Sequence, residues 1–382
     1  MKLEVVSRIA GLDPGAWDSL VGDGTPFLEW GFLSALEESG AITRETGWLP
    51  QHLVLRDGKR LVGACPLYVK GNSYGEFVFD HGWADAAMRA GIRYYPKLLV
   101  AAPLTPATGA RFLTAPDVDR PAVIRALGGA LRDLCEKSSF SSVHVNFCLP
   151  DEAAALEEIG FLRRTGVQFQ WRSPGGSTFD DYLASLRAKR RNQALRERRE
   201  LARQGIEIEV RTGDEIDADL VERMYRLYLT TVDKFVWGQR YLNLDSFRLL
   251  HERWRQRLCF VLARREGELV AGTFNVRKRG VLYGRYWGTH EEIRYLHFNV
   301  CYYAAIEYCL AHGLERFEPG AGGEFKHLRG FEATPTVSLH WLADPGFAEA
   351  VAEFLQRERR AVAREIRYRE GRSALRKPAE PG

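Results

Sequence analysis

The feature that most constrains this chain is an internal repeat. The segment LVLRDGKRLVGACPLYV at 53–69 is echoed by FVLARREGELVAGTFNV at 260–276. Each is an apolar run, a glycine-containing turn and a second apolar run, the pattern of a β-hairpin. Gly63 matches Gly272 and Gly75 matches Gly284, both pairs 209 residues apart. Ile92-Arg93-Tyr94 recurs as Ile293-Arg294-Tyr295 at a separation of 201, which a single gap of eight residues reconciles. Self-similarity on this scale predicts a duplication, with two domains of similar fold. The glycine-rich RSPGGS at 172–177 marks the boundary, so the expected domains are 1–172 and 173–345, followed by a C-terminal helix and tail at 346–382.

Composition narrows the class. With 45% hydrophobic and 12% aromatic residues the chain is a packed globular protein, neither disordered nor collagenous. Its 382 residues leave room for two or three domains of roughly 100–200 residues each. The opening MKLEVVSRIA has no long apolar core, and no run approaches the roughly 18 apolar residues of a membrane span. A soluble, cytoplasmic protein is therefore expected. Cys65, Cys135, Cys148, Cys259, Cys301 and Cys309 form no C-x-x-C pair and sit among apolar neighbours. That favours reduced, buried thiols over disulfides, and no metal site is expected. The net charge of +4 is slight, so local basic clusters carry more information than the total.

Two stretches of the second half stand out. In 281–331, VLYGRYWG reads as a strand ending in an open loop, and apolar residues at helical spacing over 298–312 stop at Gly313. A short strand then leads into Gly320-Ala321-Gly322-Gly323 and the polar Glu324, Lys326, His327 and Arg329. This order puts a helix N-terminus beside a strand end, a corner suited to an anionic or carbonyl-bearing ligand. An ordinary strand–helix–strand unit with a glycine-rich turn fits the same residues. The other stretch is a basic helix after the boundary, capped by Thr178 with Asp181 three residues on. Arg187, Lys189, Arg190 and Arg191 crowd into one and a half turns with no acid between them. Both a phosphate-binding cluster and a solvated helix face remain open readings.

The motifs SYGEFVFDHGWADA, RYYPKL, KRRNQALRERRE, LYGRYWG, LHFNVCYYAAIEY, GEFKHLRGF and DPGF together resemble the FemAB-like family of predicted N-acyltransferases, tied to peptidoglycan biosynthesis or recognition. The resemblance runs from about Phe27 to Glu358. It implies an α/β (α+β) fold of tandem acetyltransferase-like (GNAT) domains, each a mixed central sheet flanked by helices, in agreement with the repeat. It also implies transfer of an acyl group from an activated donor to an amine. The donor would be acyl-CoA or, as in Fem-type relatives, aminoacyl-tRNA, and no permanently bound cofactor is expected. The acceptor would be a small amine, a lipid amine or a cell-wall precursor, and a non-catalytic binding module is the remaining alternative. The family loop GAQGEHK has Gly322 here in place of Gln and Phe325 in place of His, and Asn299 stands where an acid is usual. Those departures argue for a changed or more apolar ligand, or for lost catalysis.

Aminolysis needs a base for the amine, donors for the developing oxyanion and a proton for the leaving group. Glu324 is the first candidate base and His297 the second, with Tyr286 and Tyr302 as proton donors to the leaving group. Lys189, Arg190, Arg191, Lys326 and Arg329 are candidates for holding the donor. Asp80, His81, Trp83, Arg285, Trp287 and Asn299 are candidates for the substrate pocket. For each there is a plain structural alternative: a loop brace for Glu324, a satisfied packing residue for His297 and the tyrosines.

Overall fold

The computed structural model describes residues 1–234 and 240–376. They fall into two compact units, Met1–Val167 with Pro335–Arg364, and Gln168–Thr334 with Glu365–Gly382. The divisions lie inside two strands and the last helix, whereas the sequence reading set them at 172/173 and 345/346. Of the aromatic-rich stretch VWGQRYLN at 236–243, which reads as a loop, residues 236–239 lie outside the described residues.

The first unit opens with β1 (Lys2–Val6), α1 (Pro14–Val21) and α2 (Trp30–Glu38), followed by β2 (Trp48–Pro50), β3 (His52–Asp57), β4 (Arg60–Cys65) and β5 (Leu67–Lys70). Next come α3 (His81–Arg89), β6 (Lys97–Val100), β7 (Leu113–Thr114), α4 (Arg120–Lys137), β8 (Ser142–Val145) and α5 (Pro150–Glu157). Asp119 starts α4 by accepting from Ala122 N–H, with a proline in the first turn where no donor is missed. One sheet has the order β1-β3-β4-β7, and in another β8-β6-β5-β2 lie side by side. β6 is antiparallel to β5 but parallel to β8.

The second unit begins within β9 (Leu162–Arg172) and continues through α6 (Phe179–Ser185), α7 (Ala188–Ala202), β10 (Ile206–Thr212), α8 (Ala218–Val232), α9 (Leu244–Trp254), β11 (Leu258–Arg265), β12 (Glu268–Lys278) and β13 (Val281–Thr289). A helical segment follows, made of α10 (Leu296–Phe298), a π-helical turn (Asn299–Tyr303) and α11 (Ala304–Ala311). β14 (Arg316–Glu318), β15 (Glu332–Leu342) and α12 (Pro345–Glu370) complete the chain. Strands β10 to β13 form an antiparallel run, β14 adds in parallel to β13, and β9 closes against β14 through Trp171 and Arg172. In the first unit the last four residues of β15 play the same part against β8. Each sheet is thus completed by a strand from the other half of the sequence.

The basic helix is two helices, not one. Thr178 and Asp181 form the expected capping box on α6, but Leu186 is extended and α7 starts afresh at Ala188. Leu186 pairs instead with Leu375 in an isolated antiparallel bridge, and that pairing breaks the helix. Among the described residues no helix is long and apolar enough to cross a membrane. All six cysteines are free, five of them buried and Cys301 half-buried.

The repeat holds for the hairpin and fails beyond it. Gly63 faces Leu55 in β3–β4 and Gly272 faces Leu262 in β11–β12, with a register shift close by in each pair. The two glycines do one job: a Cβ on Gly63 would sit 2.7 Å from Val123 Cγ1 of α4, and one on Gly272 2.7 Å from Met224 Sδ of α8. Gly75, however, lies in a turn at φ +74, while Gly284 lies in β13. The strand that corresponds to β13 is β6, because both are antiparallel to the preceding strand and parallel to the next. The stretch containing α3 separates β5 from β6, so the 209-residue offset ends after β5. The tripeptide match also falls in unlike places, Ile92–Tyr94 before a strand and Ile293–Tyr295 before a helix.

A sharper packing constraint sits at Gly288, where an added Cβ would lie 1.7 Å from the Leu227 carbonyl oxygen of α8. Backbone cannot yield as a side chain does. Gly288→Ala should therefore destabilise by about 3 kcal/mol or more, and Gly272→Ala by less because Met224 can move. Denaturant melts of the two variants test this order.

Candidate active site

The site is built on β13. Opposite it on β12, Phe274 pairs with Tyr286 but Asn275 pairs with Gly284, so Arg285 is an extra, bulged residue. On the other side β13 meets β14 for three residues only, Val281–Tyr283 with Arg316–Glu318. Gly284 is the last close contact: a Cβ there would sit 3.2 Å from Pro319 Cα. After that β13 runs on to Thr289, while the chain beyond β14 turns away through Gly320, Gly322 and Gly323, all at positive φ. From Arg285 onward β13 has parted from β14, and its edge faces the gap.

A cavity of ≈ 270 Å³ fills that gap, walled by Arg285, Trp287, His297, Tyr302, Phe325 and Lys326, with Tyr286 beside them. Six of the residues expected to form the site are thereby brought together. The π-helical turn lets Tyr302 and Cys301 reach the same cavity as His297, a use of this irregular turn common at functional sites.

The chemistry of the walls follows from burial. His297 lies edge-on to Trp287 at 4.6 Å and to Tyr302 at 5.3 Å. Burial, helped by Arg329 and Lys326, pulls its pKa down to about 4, so the imidazole is neutral near pH 7. Lys326 donates from Nζ to the Gly320 and Ala321 carbonyls at 2.8 and 3.2 Å, which clamps the glycine turn. Its burial lowers the ammonium pKa to about 8. Burial also raises the Tyr302 hydroxyl and the Cys301 thiol, leaving both protonated at neutral pH. Tyr286 is half-buried and lies edge-on to Tyr228 at 4.9 Å.

The remaining expected residues stand elsewhere. Arg329 was a candidate for holding the donor, but it is buried, with Nη2 on both Glu197 oxygens at 2.9 and 2.7 Å and Nη1 on the Phe325 carbonyl. A guanidinium so engaged is a brace. Asn299 donates to the carbonyls of Glu197 and Tyr295 and does not line the cavity, so of the three departures from the family pattern only Phe325 faces it. Lys189 is exposed, and Arg190 and Arg191 half-exposed, on the first turn of α7; none of the three lines the cavity. The Glu324 side chain lies outside the described residues, though its backbone opens a 3-10 turn between Gly323 and Phe325, both of which line the cavity.

Asp80, His81 and Trp83 belong to the first unit. His81 faces solvent, stacked on Phe79. Asp80 is buried; desolvation alone raises its pKa, but Lys97 and His144 carry it below the usual carboxylate range. It accepts from Tyr94 at 2.6 Å and from Lys97, which also reaches Glu76 at 2.9 Å. Trp83 packs edge-on to His340 at 4.9 Å. No local pattern marks this network, because its members are scattered from Ser73, which accepts from Lys97 at 2.9 Å, to His340.

The first unit has the same strand parting, and its own side chain fills it. β6 pairs with β8 over Leu98–Val100 and Val143–Val145 and goes no further. Immediately beyond, fully buried Arg111 donates from Nε to the Asn146 carbonyl at 2.7 Å and from Nη1 to Gly109 and Ala110 at 3.1 Å, with Nη2 on Ala107. The guanidinium thus occupies the end of the parted pair in the first unit, where the second unit has its cavity.

A pH dependence follows from His297. Its folded pKa of about 4 lies below its ordinary 6.5, so protons favour the unfolded chain. The stabilisation from the neutral imidazole is complete above about pH 6.5 and is lost as pH falls towards 4. Melting temperatures over that range should drop more steeply for the native protein than for His297→Gln. Parallel curves would mean that His297 is not held neutral.

Comparison with known proteins bears on fold and family. No curated protein matches the chain. Among solved structures, FemX superposes with a TM-score of 0.58 at 12% identity, over 92% of this chain and 100% of its own. L-PGS from Bacillus licheniformis gives 0.57 at 9%, over 94% and 98%. The C-terminal domain of a putative lysylphosphatidylglycerol synthetase from Agrobacterium fabrum gives 0.57 at 10%, over 91% and 96%. At these identities the likeness concerns the fold, an α/β architecture of two units with mixed sheets flanked by helices. The family model for FemAB-like proteins, described as peptidoglycan biosynthesis/recognition, matches residues 8–377, and the chain belongs to that family.

Proposed function

We propose that the second unit is an N-acyltransferase that moves an acyl group from a thioester donor to an amine. Family membership and the shared fold support an acyl- or aminoacyl-transferase; the cavity supports the finer reading. The carrying observation is the parted edge of β13 opening on an aromatic, cationic cavity. A free strand edge pairs readily with a linear arm that bears amides, as a thioester carrier does. Arg285 and Lys326 supply the charge, and no Asp or Glu is among the described lining residues. An uncharged acyl group packs against Trp287, Tyr302 and Phe325. The same field lowers the pKa of an incoming amine and so enlarges its nucleophilic neutral fraction.

In this reading the amine nitrogen attacks the donor carbonyl carbon, and N–H groups along β13 beyond Gly284 receive the developing oxyanion. The amine proton passes to Glu324, directly or through water, with His297 as the alternative acceptor. The C–S bond then breaks, and Tyr286 or Tyr302 protonates the departing thiolate. Arg285 orients the donor. A second reading, aminoacyl transfer from tRNA, is favoured by the exposed Lys189 with Arg190 and Arg191 on α7.

The test is release of free thiol from short- and medium-chain acyl-CoA in the presence of a panel of amines. Transfer is expected, with Glu324→Gln slower by ~10²–10⁴-fold and its melting temperature nearly unchanged. CoA binding without transfer from any donor would sink the reading. For the tRNA alternative, changing Lys189, Arg190 and Arg191 together to Ala should leave acyl-CoA turnover intact. Loss of a salt-sensitive aminoacyl-tRNA activity in that variant would favour the second reading instead.

A further inference from the structure

Glu197 lies in α7, amid the basic residues that make this helix look like a solvated surface, yet it is only 2% exposed. Its carboxylate is saturated. Oε1 accepts from Arg329 Nη2 at 2.9 Å and from Gln193 at 2.8 Å; Oε2 accepts from Arg329 at 2.7 Å and from the Tyr303 hydroxyl at 2.5 Å. Arg329 is the only cation in that set. Through it the anchor reaches both walls of the cavity. Nη1 holds the Phe325 carbonyl at 3.0 Å, in the turn that follows the glycines, and the guanidinium lies 3.4 Å over the ring of Phe298, next to His297. Tyr182 accepts no part of this charge but ties down the Arg329 carbonyl at 3.1 Å.

We propose that Glu197 is the positioning residue of the cavity: it fixes Arg329, and Arg329 fixes the rim turn at Phe325 and the His297–Phe298 segment relative to each other. The inference rests on the reading of the cavity as an acyl-transfer site, but its geometry needs no substrate. A buried carboxylate and guanidinium packed this way are not required for folding as such, since apolar pairs of similar volume commonly serve as well. What an apolar pair cannot do is donate to the Phe325 carbonyl or place a cation over Phe298. Groups charged or titratable around His297 are Arg329 and Lys326, together with the protonated Tyr302.

The experiment uses the full chain in three forms: native, Glu197→Gln, and the charge-neutral double variant Glu197→Met with Arg329→Met. The double variant keeps the test usable if Glu197→Gln alone, which strands the Arg329 charge, does not fold. Two quantities are read, the imidazole titration of His297 by NMR and the kcat and KM of acyl transfer from acyl-CoA. Expected for the double variant is a melting temperature close to native, a His297 pKa raised from about 4 and a kcat at least tenfold lower with KM changed much less. A double variant with native titration and native kcat would overturn the proposal and leave Glu197 a replaceable packing partner. If the native protein transfers nothing, the functional reading fails, and the positioning role is then read from a crystal structure of the double variant: a displaced Phe325 turn and His297 ring support it, and both unmoved would overturn it.

Discussion

The structure of the second unit depends on the brevity of one strand pairing. β13 and β14 share three residues, and Gly284 and Gly320 allow their backbones to touch once more before they separate. Had the parallel pairing continued, hydrogen bonds would have used the edge of β13 and no cavity would exist. The proposed site is placed by that separation. The bulge at Arg285 turns β13 side chains at the gap, the helical segment crosses it with His297 and Tyr302, and the Lys326 clamp holds the glycine turn back. A parted pair of strands leaves backbone groups that need partners, and a ligand is one way to supply them.

The first unit shows the other way. Its parallel pair β6–β8 is equally short, and Arg111 donates to the Asn146 carbonyl just beyond it. Two copies of one architecture thus differ by whether the gap is filled from within. In the function proposed above, that asymmetry is what favours the second unit as the seat of the chemistry. It also gives the buried network around Lys97, Asp80 and Glu76 a structural sense, since these charges neutralise one another at 2.9 Å or closer and are sealed from solvent.

Much of this was legible in the sequence, for physical reasons that can be named. The hairpins were visible because alternation and a glycine turn are local, and the equivalence of Gly63 with Gly272 survived because each admits a helix. The opening beside VLYGRYWG was readable because runs of glycine rarely serve packing. Residues lining the cavity were found where they lie within a few positions of such landmarks. Glu197 and Arg111 were missed because burial of a charge depends on distant partners: Glu197 meets Arg329 across 132 positions, and Arg111 meets Asn146 across 35. Arg329, expected to hold the donor, is instead engaged by Glu197 for the same reason. The false match of Gly75 with Gly284 arose because a constant offset looks like homology until a segment such as α3 intervenes.

The central claim is that the gap between β13 and β14 receives the acyl donor. A crystal structure of the protein with a thioether analogue of acyl-CoA tests it most directly, because the analogue cannot be consumed. The analogue's amide arm is expected along β13 from Gly284 onward, with its acyl end against Trp287 and His297 and Arg111 unmoved in the first unit. An analogue bound in the first unit with Arg111 displaced, or bound at the surface with the gap beside β13 empty, would contradict it.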